Sequence, residues 1–264
     1  MGAEGTVFYS RLLLFALLGL SALSAGVAQA QQNIGSTTFT LNKVSRELSG
    51  AAAPLVSGDP VYRDEVVRTA EDSKAKLIFL DSTNLAIGPT SRVTLDVFVY
   101  AGGTSTQKFT VNLAKGIFRF TTGKLDKNAY EISTPTASIG VRGTVLDIDV
   151  RSAQSKVTLV EGQALVCPRR PRETFEQQVR NCSRAAPRGA HCDCVDLNDA
   201  GQTAAVKKTG GVVQASLAAT PVNFASLCAG AAALCSGSTY ASASPLGGPG
   251  GGGGGFPAGA LCGH

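Results

Sequence analysis

Between Phe39 and Val166 apolar residues recur in short runs broken by Gly, Asp, Asn, Ser and Pro, with no stretch of 3.6-residue periodicity. The alternation is clearest in Val145-Leu146-Asp147-Ile148-Asp149-Val150 and in Arg92-Val93-Thr94-Leu95-Asp96-Val97, where every second residue is apolar. A period of two places one face of each run in a core and the other in water. The pattern predicts strands at Val66–Ala70, Ala75–Leu80, Asn84–Ile87, Arg92–Tyr100, Lys108–Leu113, Ile117–Thr121, Tyr130–Ser133, Val145–Val150, Lys156–Val160 and Gln163–Val166. Gly102-Gly103 and the cluster Asp126 to Asn128 supply the reversals between them. The segment is all-β, and strands of such even spacing suit two packed sheets or a short β-solenoid equally.

The pattern changes from Pro168 to Ala190, where Arg and Pro are dense and apolar residues sparse; this reads as a loop or a short helix around Thr174 to Val179. Cys194–Leu197 and Gly201–Val206 return to β character. Beyond Ser216 the chain is rich in Ala, Ser and Gly, and residues 247–255 hold eight Gly and one Pro, the composition of a flexible end. At the other terminus Arg11 precedes an apolar run from Leu12 to Leu23, and Ala28-Gln29-Ala30 has the small-x-small form of a signal-peptidase site. The run is shorter than the roughly 18–20 residues a membrane anchor needs. The expected organisation is a signal peptide over 1–30, a lead-in strand and linker over 31–53, a β domain over 54–166, a Cys- and Arg-rich excursion with returning strands over 167–216, and a flexible tail over 217–264. The mature chain, 31–264, is then periplasmic or secreted. It carries no transmembrane segment, since its one later apolar run, Phe224 to Cys235, is too short to span a bilayer.

Composition narrows the chemistry. The chain has 264 residues, 44% hydrophobic and 16% charged, which favours a globular body over disorder. Its net charge of +5 comes without a dense basic run, so nucleic acid is not an expected partner. The only His residues are His191 and His264, so the β region offers no imidazole to activate a nucleophile. Asp147 and Asp149 are about 7 Å apart on one strand face by strand rise. Paired carboxylates invite calcium or glycosidase chemistry, but no acidic loop accompanies them, and the pattern assigns both to a solvated face. No catalytic, cofactor-binding or metal residue is therefore expected.

All seven cysteines follow the alternating region: Cys167, Cys182, Cys192, Cys194, Cys228, Cys235 and Cys262. In an oxidising compartment they should be bridged. Cys192 and Cys194 are too close to pair readily with each other, so each is expected to take one of Cys167 and Cys182; which takes which is not deducible. Cys228 with Cys235 would close a small loop and leave Cys262 odd. A zinc site drawn from Cys167, Cys182, His191, Cys192 and Cys194 is the alternative, but the paired C-x-x-C spacing is missing.

Three clusters stand in order along the chain. They are Val56-Ser57-Gly58-Asp59 leading to Val66-Val67-Arg68-Thr69, the run Ala75 to Ser91 containing Leu80-Asp81-Ser82-Thr83-Asn84 and Ile87-Gly88-Pro89-Thr90, and Thr134-Pro135-Thr136-Ala137-Ser138-Ile139-Gly140-Val141-Arg142-Gly143-Thr144. Together they resemble the FecR domain over about residues 54–166, with Ser82-Thr83 standing where the family usually has Gly-Ser. The resemblance implies an exported β-module with a binding or scaffolding role. Family members of the regulatory kind join such a domain to a membrane helix and a cytoplasmic segment that restrains a sigma factor, and a signal directly before the domain leaves no place for that segment here. Gly140 and Gly143 flank Arg142 in what reads as a tight, side-chain-poor turn, and with Thr144 they form the candidate ligand or structural site. The guanidinium could grip an anionic ligand or a partner's carboxylate, or tie neighbouring carbonyls or Asp81 within the fold; the internal role is preferred. The expected function is a non-enzymatic exported module that binds an envelope protein or glycan in a sensory or scaffolding role. The alternative is a structural component of a cell-envelope assembly, and an enzyme is the weakest reading.

Overall fold

The computed structural model describes residues 31–95, 98–99, 108–126, 129–183 and 192–236. Its first strands are β1 (Asn33–Leu41), β2 (Val44–Leu48), β3 (Ala51–Pro54), β4 (Pro60–Tyr62), β5 (Val66–Thr69), β6 (Lys74–Phe79), β7 (Asn84–Ile87) and β8 (Arg92–Thr94). They are followed by β9 (Phe98–Val99), β10 (Lys108–Thr121), β11 (Tyr130–Ser133), β12 (Ala137–Arg151) and β13 (Gln154–Pro168). After helix α1 (Phe175–Asn181) come β14 (Val195–Leu197), β15 (Thr203–Thr209) and β16 (Val212–Leu217), then a 3-10 turn (Phe224–Cys228) and helix α2 (Ala232–Cys235).

These sixteen strands form one hydrogen-bonded sheet. It does not lie flat. The rings of Phe109 and Phe120, both on β10, have centroids 5.8 Å apart, whereas eleven residues of straight strand would span about 36 Å. The strand bends, and its pairing changes at the bend: the first half of β10 pairs with β8, β9 and β11, the second half with β7 and β12. The pairings divide into two layers that share β10, β12 and β13. One layer runs β3-β2-β5-β8-β10-β11-β12-β13-β14. The other runs β4-β1-β6-β7-β10-β12-β13-β15-β16. Of the two architectures the sequence allowed, this is the packed pair of sheets, made from a single sheet folded over.

The side-chain pattern shows how the bends are made. Core residues on β10 are Phe109, Val111 and Leu113, then Phe118 and Phe120; on β12 they are Ala137, Ile139 and Val141, then Leu146, Ile148 and Val150; on β13 they are Val157 and Leu159, then Ala164 and Val166. In each strand the inward positions switch from odd to even numbers. A single inserted residue does this, because a slip of one turns every later side chain to the opposite face. The register slips between Leu113 and Lys115 on β10, between Arg142 and Val145 on β12 and at Val160 on β13, within two residues of Gly116, Gly143 and Gly162, whose φ values of 119°, 56° and 85° belong to the region open mainly to glycine. The folded sheet encloses one core in which Phe79, Phe109, Phe120 and Tyr130 meet edge-on or tilted at 5.0 to 6.1 Å.

Several expectations change. Lys108–Leu113 and Ile117–Thr121 are two halves of β10, Lys156–Val160 and Gln163–Val166 are two halves of β13, and the expected turn at Gly140–Gly143 lies within β12 as its bulge, since a bulge interrupts the alternation without ending the strand. Arg92–Tyr100 gives β8 and β9, with Asp96, Val97 and Tyr100 outside the described residues. Residues 31–53 form three strands rather than one and a linker, and β1 lies inside a layer between β4 and β6. Residues 217–236 depart most from the expected flexible tail: Phe224 and Leu234 are fully buried there. The signal segment, Gly102-Gly103, His191, Cys262 and the Gly-rich stretch 247–255 lie outside the described residues. Among the described residues no helix is long and apolar enough to cross a membrane.

Candidate functional site

Arg142, Gly143 and Thr144 are the bulge of β12, at the corner where that strand passes from one layer to the other. Thr144 fastens the corner. Its hydroxyl accepts from the Arg142 N–H at 2.8 Å and donates to the Gln163 carbonyl of β13 at 2.7 Å. Its own N–H donates to Thr122 Oγ1 at 2.8 Å, and its carbonyl accepts from the Thr122 N–H at 3.0 Å. The bulge of β12, the neighbouring part of β13 and the residue just after β10 are thus tied at one place by a residue only 1% exposed. Gly162 fits beside it because a Cβ there would collide with the Gly143 carbonyl. Arg142 is half-buried at this corner.

Gly140 serves a different need. A Cβ at this position would lie 2.5 Å from Cζ of Phe175, so the missing side chain lets the tip of the ring that begins α1 reach β12. The helix starts at Thr174, whose hydroxyl accepts from the Gln177 N–H at 3.2 Å while the Gln177 side chain accepts from the Thr174 N–H at 2.8 Å, a reciprocal cap. Glu176 pairs with Lys108 of β10, which lies 3.7 Å from Glu131 of β11. Lys108 raises its own affinity for a proton by donating to Glu176 and depresses the Glu176 carboxyl, while burial pushes Glu131 upward.

The start of the motif is equally internal. Thr134 and Thr136 are fully buried, and Thr134 Oγ1 accepts from the Ala137 N–H at 2.8 Å and from Ser155 Oγ at 2.9 Å. Asp81, offered by the sequence as an internal partner for Arg142, accepts from the Thr83 N–H at 3.0 Å, from the Thr83 hydroxyl and from Tyr130 Oη at 2.8 Å. Burial next to that carboxylate pushes the Tyr130 phenol up to about 12. These contacts brace the β6–β7 turn against β11; their chemistry is structural.

Residues 65–165 match the family model described as FecR protein. They form a FecR domain. Two crystal structures of a candidate anti-sigma factor from Parabacteroides distasonis ATCC 8503, at 2.50 and 1.65 Å resolution, each resemble the chain at 12% identity and a TM-score of 0.39, covering 58% of this chain and 59% of theirs. The chain therefore spans about three fifths of those structures. No curated protein matches the sequence. The match begins next to β5 and ends in β13.

Residues 222–236, beyond the match, change the reading of Asp147. The sequence placed Asp147 and Asp149 together on a solvated face, but Asp147 is buried and forms a two-point pair with Arg119, Nε to Oδ1 at 2.7 Å and Nη2 to Oδ2 at 2.8 Å. Residues 222–236 cover that face as a strap running across the strands. The Val222 N–H donates to Thr158 Oγ1 at 2.7 Å and the Phe224 N–H to Asp147 Oδ2 at 3.2 Å, and the Phe224 ring lies 5.3 Å from the Arg119 guanidinium carbon. Farther along, Lys74 Nζ donates to the Leu227 carbonyl at 2.6 Å and Lys76 Nζ to that of Ser236. Burial lowers the pKa of Lys76. Asp149 remains at the surface, paired with Arg151 at 3.0 Å.

The cysteines pair within the expected sets: Cys167 with Cys194, Cys182 with Cys192, and Cys228 with Cys235. The first two enclose a satellite core with Leu165, Phe175 and Val179. Cys182, Cys192 and Cys194 present sulfur atoms within 4.8 Å of one another, the grouping a zinc site would use, but each sulfur is already bonded to another cysteine. Cys228–Cys235 closes the strap.

Proposed function

We propose that the chain is an exported, non-enzymatic sensory or regulatory module whose FecR domain binds an envelope protein or a glycan through its surface. The FecR match over residues 65–165 carries this reading. Two features support it. The motif residues Gly140, Gly143 and Thr144 are consumed in holding the bent sheet, which makes the domain a rigid frame for surface recognition. Three disulfides among the described residues suit an oxidising compartment, as does the signal-like sequence of residues 1–30.

Capture from envelope extract with residues 31–264 as bait tests the proposal. A defined partner that saturates is the expected outcome. Incorporation into a large insoluble assembly would favour a structural component instead, and hydrolase activity abolished by one carboxylate substitution would favour an enzyme. Arg142→Lys is expected to lower the melting temperature before it weakens capture; full stability with lost capture would move Arg142 from the frame to the binding surface.

A further inference from the structure

Among the described strands five have a partner on one side only, β3, β4, β9, β14 and β16; β9 has two residues, and three of the others are poor templates for another strand. β4 has three residues and begins with Pro60, β14 has three residues and carries Asp196, and β3 has four and ends in Pro54. Short length, proline and charge are the devices that discourage edge pairing. β16 has none of them: it is six residues long, Val212-Val213-Gln214-Ala215-Ser216-Leu217, without proline or charge. Among the described strands it pairs only with β15.

The ladder shows which groups the edge offers. Thr209 pairs with Val212 across a two-residue turn, and the Ala218 N–H donates to the Thr203 carbonyl at 2.8 Å. Antiparallel bonding alternates along a strand, so the N–H and C=O groups of Val213, Ala215 and Leu217 point to the open side. Val213 and Ala215 pack partly against the main core, while Leu217 at 65% and Val212 at 59% are among the most exposed large apolar residues. An added strand would continue the apolar inner face over Val213, Ala215 and Leu217.

Charge selects the occupant. From Thr203 to Leu217 the only charged residues are Lys207 and Lys208, both exposed. Register places Lys207 opposite Gln154, which is opposite Arg151, and Lys156 lies on the same outward face; Asp149, paired with Arg151, is the one carboxylate in the hollow that Arg151, Gln154 and Lys156 line with it. A carboxylate on an added strand across from Gln214 would be two strand spacings, about 10 Å, from the Lys207 backbone, within the combined reach of two long side chains. A second copy of β16 brings no carboxylate to this place.

We propose that the β16 edge receives an extended segment of a partner polypeptide in which apolar residues alternate with acidic ones. The main chain would supply affinity and Lys207, which pairs with Gln214 on the outward face, the selectivity, while Lys208 pairs with Val213. The β16 edge lies outside residues 65–165 and does not use the Arg142 corner, so either can fail without the other.

The test uses residues 31–264 and two end-capped octapeptides, one alternating Val with Glu and the other Val with Lys, read by amide hydrogen exchange and by anisotropy of a labelled peptide. The Val-Glu peptide is expected to slow exchange at Val213, Ala215 and Leu217 and to bind at least tenfold tighter than Val-Lys. Lys207→Glu with Lys208→Glu should reverse that order, and Ala215→Pro should abolish binding of both. The two lysines are exposed, so their double variant tests the proposal even if Ala215→Pro does not fold. No slowing at millimolar peptide, equal binding of both peptides, or self-association removed by the lysine variant would overturn it.

Discussion

Asp147→Ala separates two accounts of the outer face of β12. On a solvated strand face the substitution would change stability by no more than about 0.5 kcal/mol. In the structure the Asp147 and Arg119 side chains are 5% and 10% exposed, and the carboxylate accepts from Nε and Nη2 of Arg119 and from the Phe224 N–H. Removing one member of a buried pair leaves the other desolvated without its counter-charge, which costs about 3–5 kcal/mol. For a domain of this size that corresponds to a fall in melting temperature of roughly 6–20 °C. Urea unfolding with the disulfides intact measures the loss, and hydrogen exchange over 222–236 should rise with it because Phe224 loses its acceptor. Arg119→Met combined with Asp147→Leu should recover part of the deficit, since an apolar pair of similar volume carries no ionic desolvation cost while the Phe224 N–H stays without its acceptor. A loss below 1 kcal/mol for Asp147→Ala, or unchanged exchange in the strap, would refute the buried-pair reasoning.

At the corners, Gly143→Ala has open space but a φ of 56° and should cost about 1–2 kcal/mol by urea titration; Gly162→Ala combines a φ of 85° with collision against the Gly143 carbonyl and should cost more, and the reverse ranking would count against the corner geometry. Cys167→Ser with Cys194→Ser opens a loop whose ends are 27 residues apart and should destabilise by about 3–4 kcal/mol on chain-entropy grounds, visible as a lower urea midpoint. Burial pushes the Asp196 carboxyl from 3.8 up to about 6, so the folded state holds its proton more tightly than the unfolded state and stability falls as pH rises from about 4 through 6. Asp196→Asn should remove that fall and gain on the parent across the same window; parallel pH profiles for the two proteins would contradict the shift.

Most strand positions, though not the first half of β12, Ala137–Val141, whose glycines read as a tight turn, were legible because each half of a bent strand keeps the alternation of a straight one, as in Phe109–Leu113 and Leu146–Val150. Their continuity was not, since periodicity ends at a bulge just as it does at a turn. The signal for the bend was nevertheless present: inward residues have odd numbers before Val141-Arg142-Gly143-Thr144 and even numbers after it, and a phase change around a glycine distinguishes a bulge from a loop. Applied to β10 and β13, the same rule finds Gly116 and Gly162. The candidate set Gly140, Arg142, Gly143 and Thr144 was found together because these residues share a strand, but their separate tasks depend on Phe175, Gln163 and Thr122, which only the fold brings near.

Asp147 was misplaced for a reason that applies to any amphipathic strand. Alternation reports which side of a strand faces its own core, and it contains no information about whether a remote segment later covers the other side. Residues 222–236 do so with few large side chains, mainly Phe224, Leu227 and Leu234, in a run of small residues whose composition imitates a disordered end. Two features break that imitation: an isolated aromatic residue, and two cysteines seven apart that can close a rigid loop. A segment with so little apolar surface cannot fold alone, so its order must come from the sheet, through Lys74, Lys76, Asp147 and Thr158. The outward polar residues that made this face look solvated are the groups that hold its cover in place.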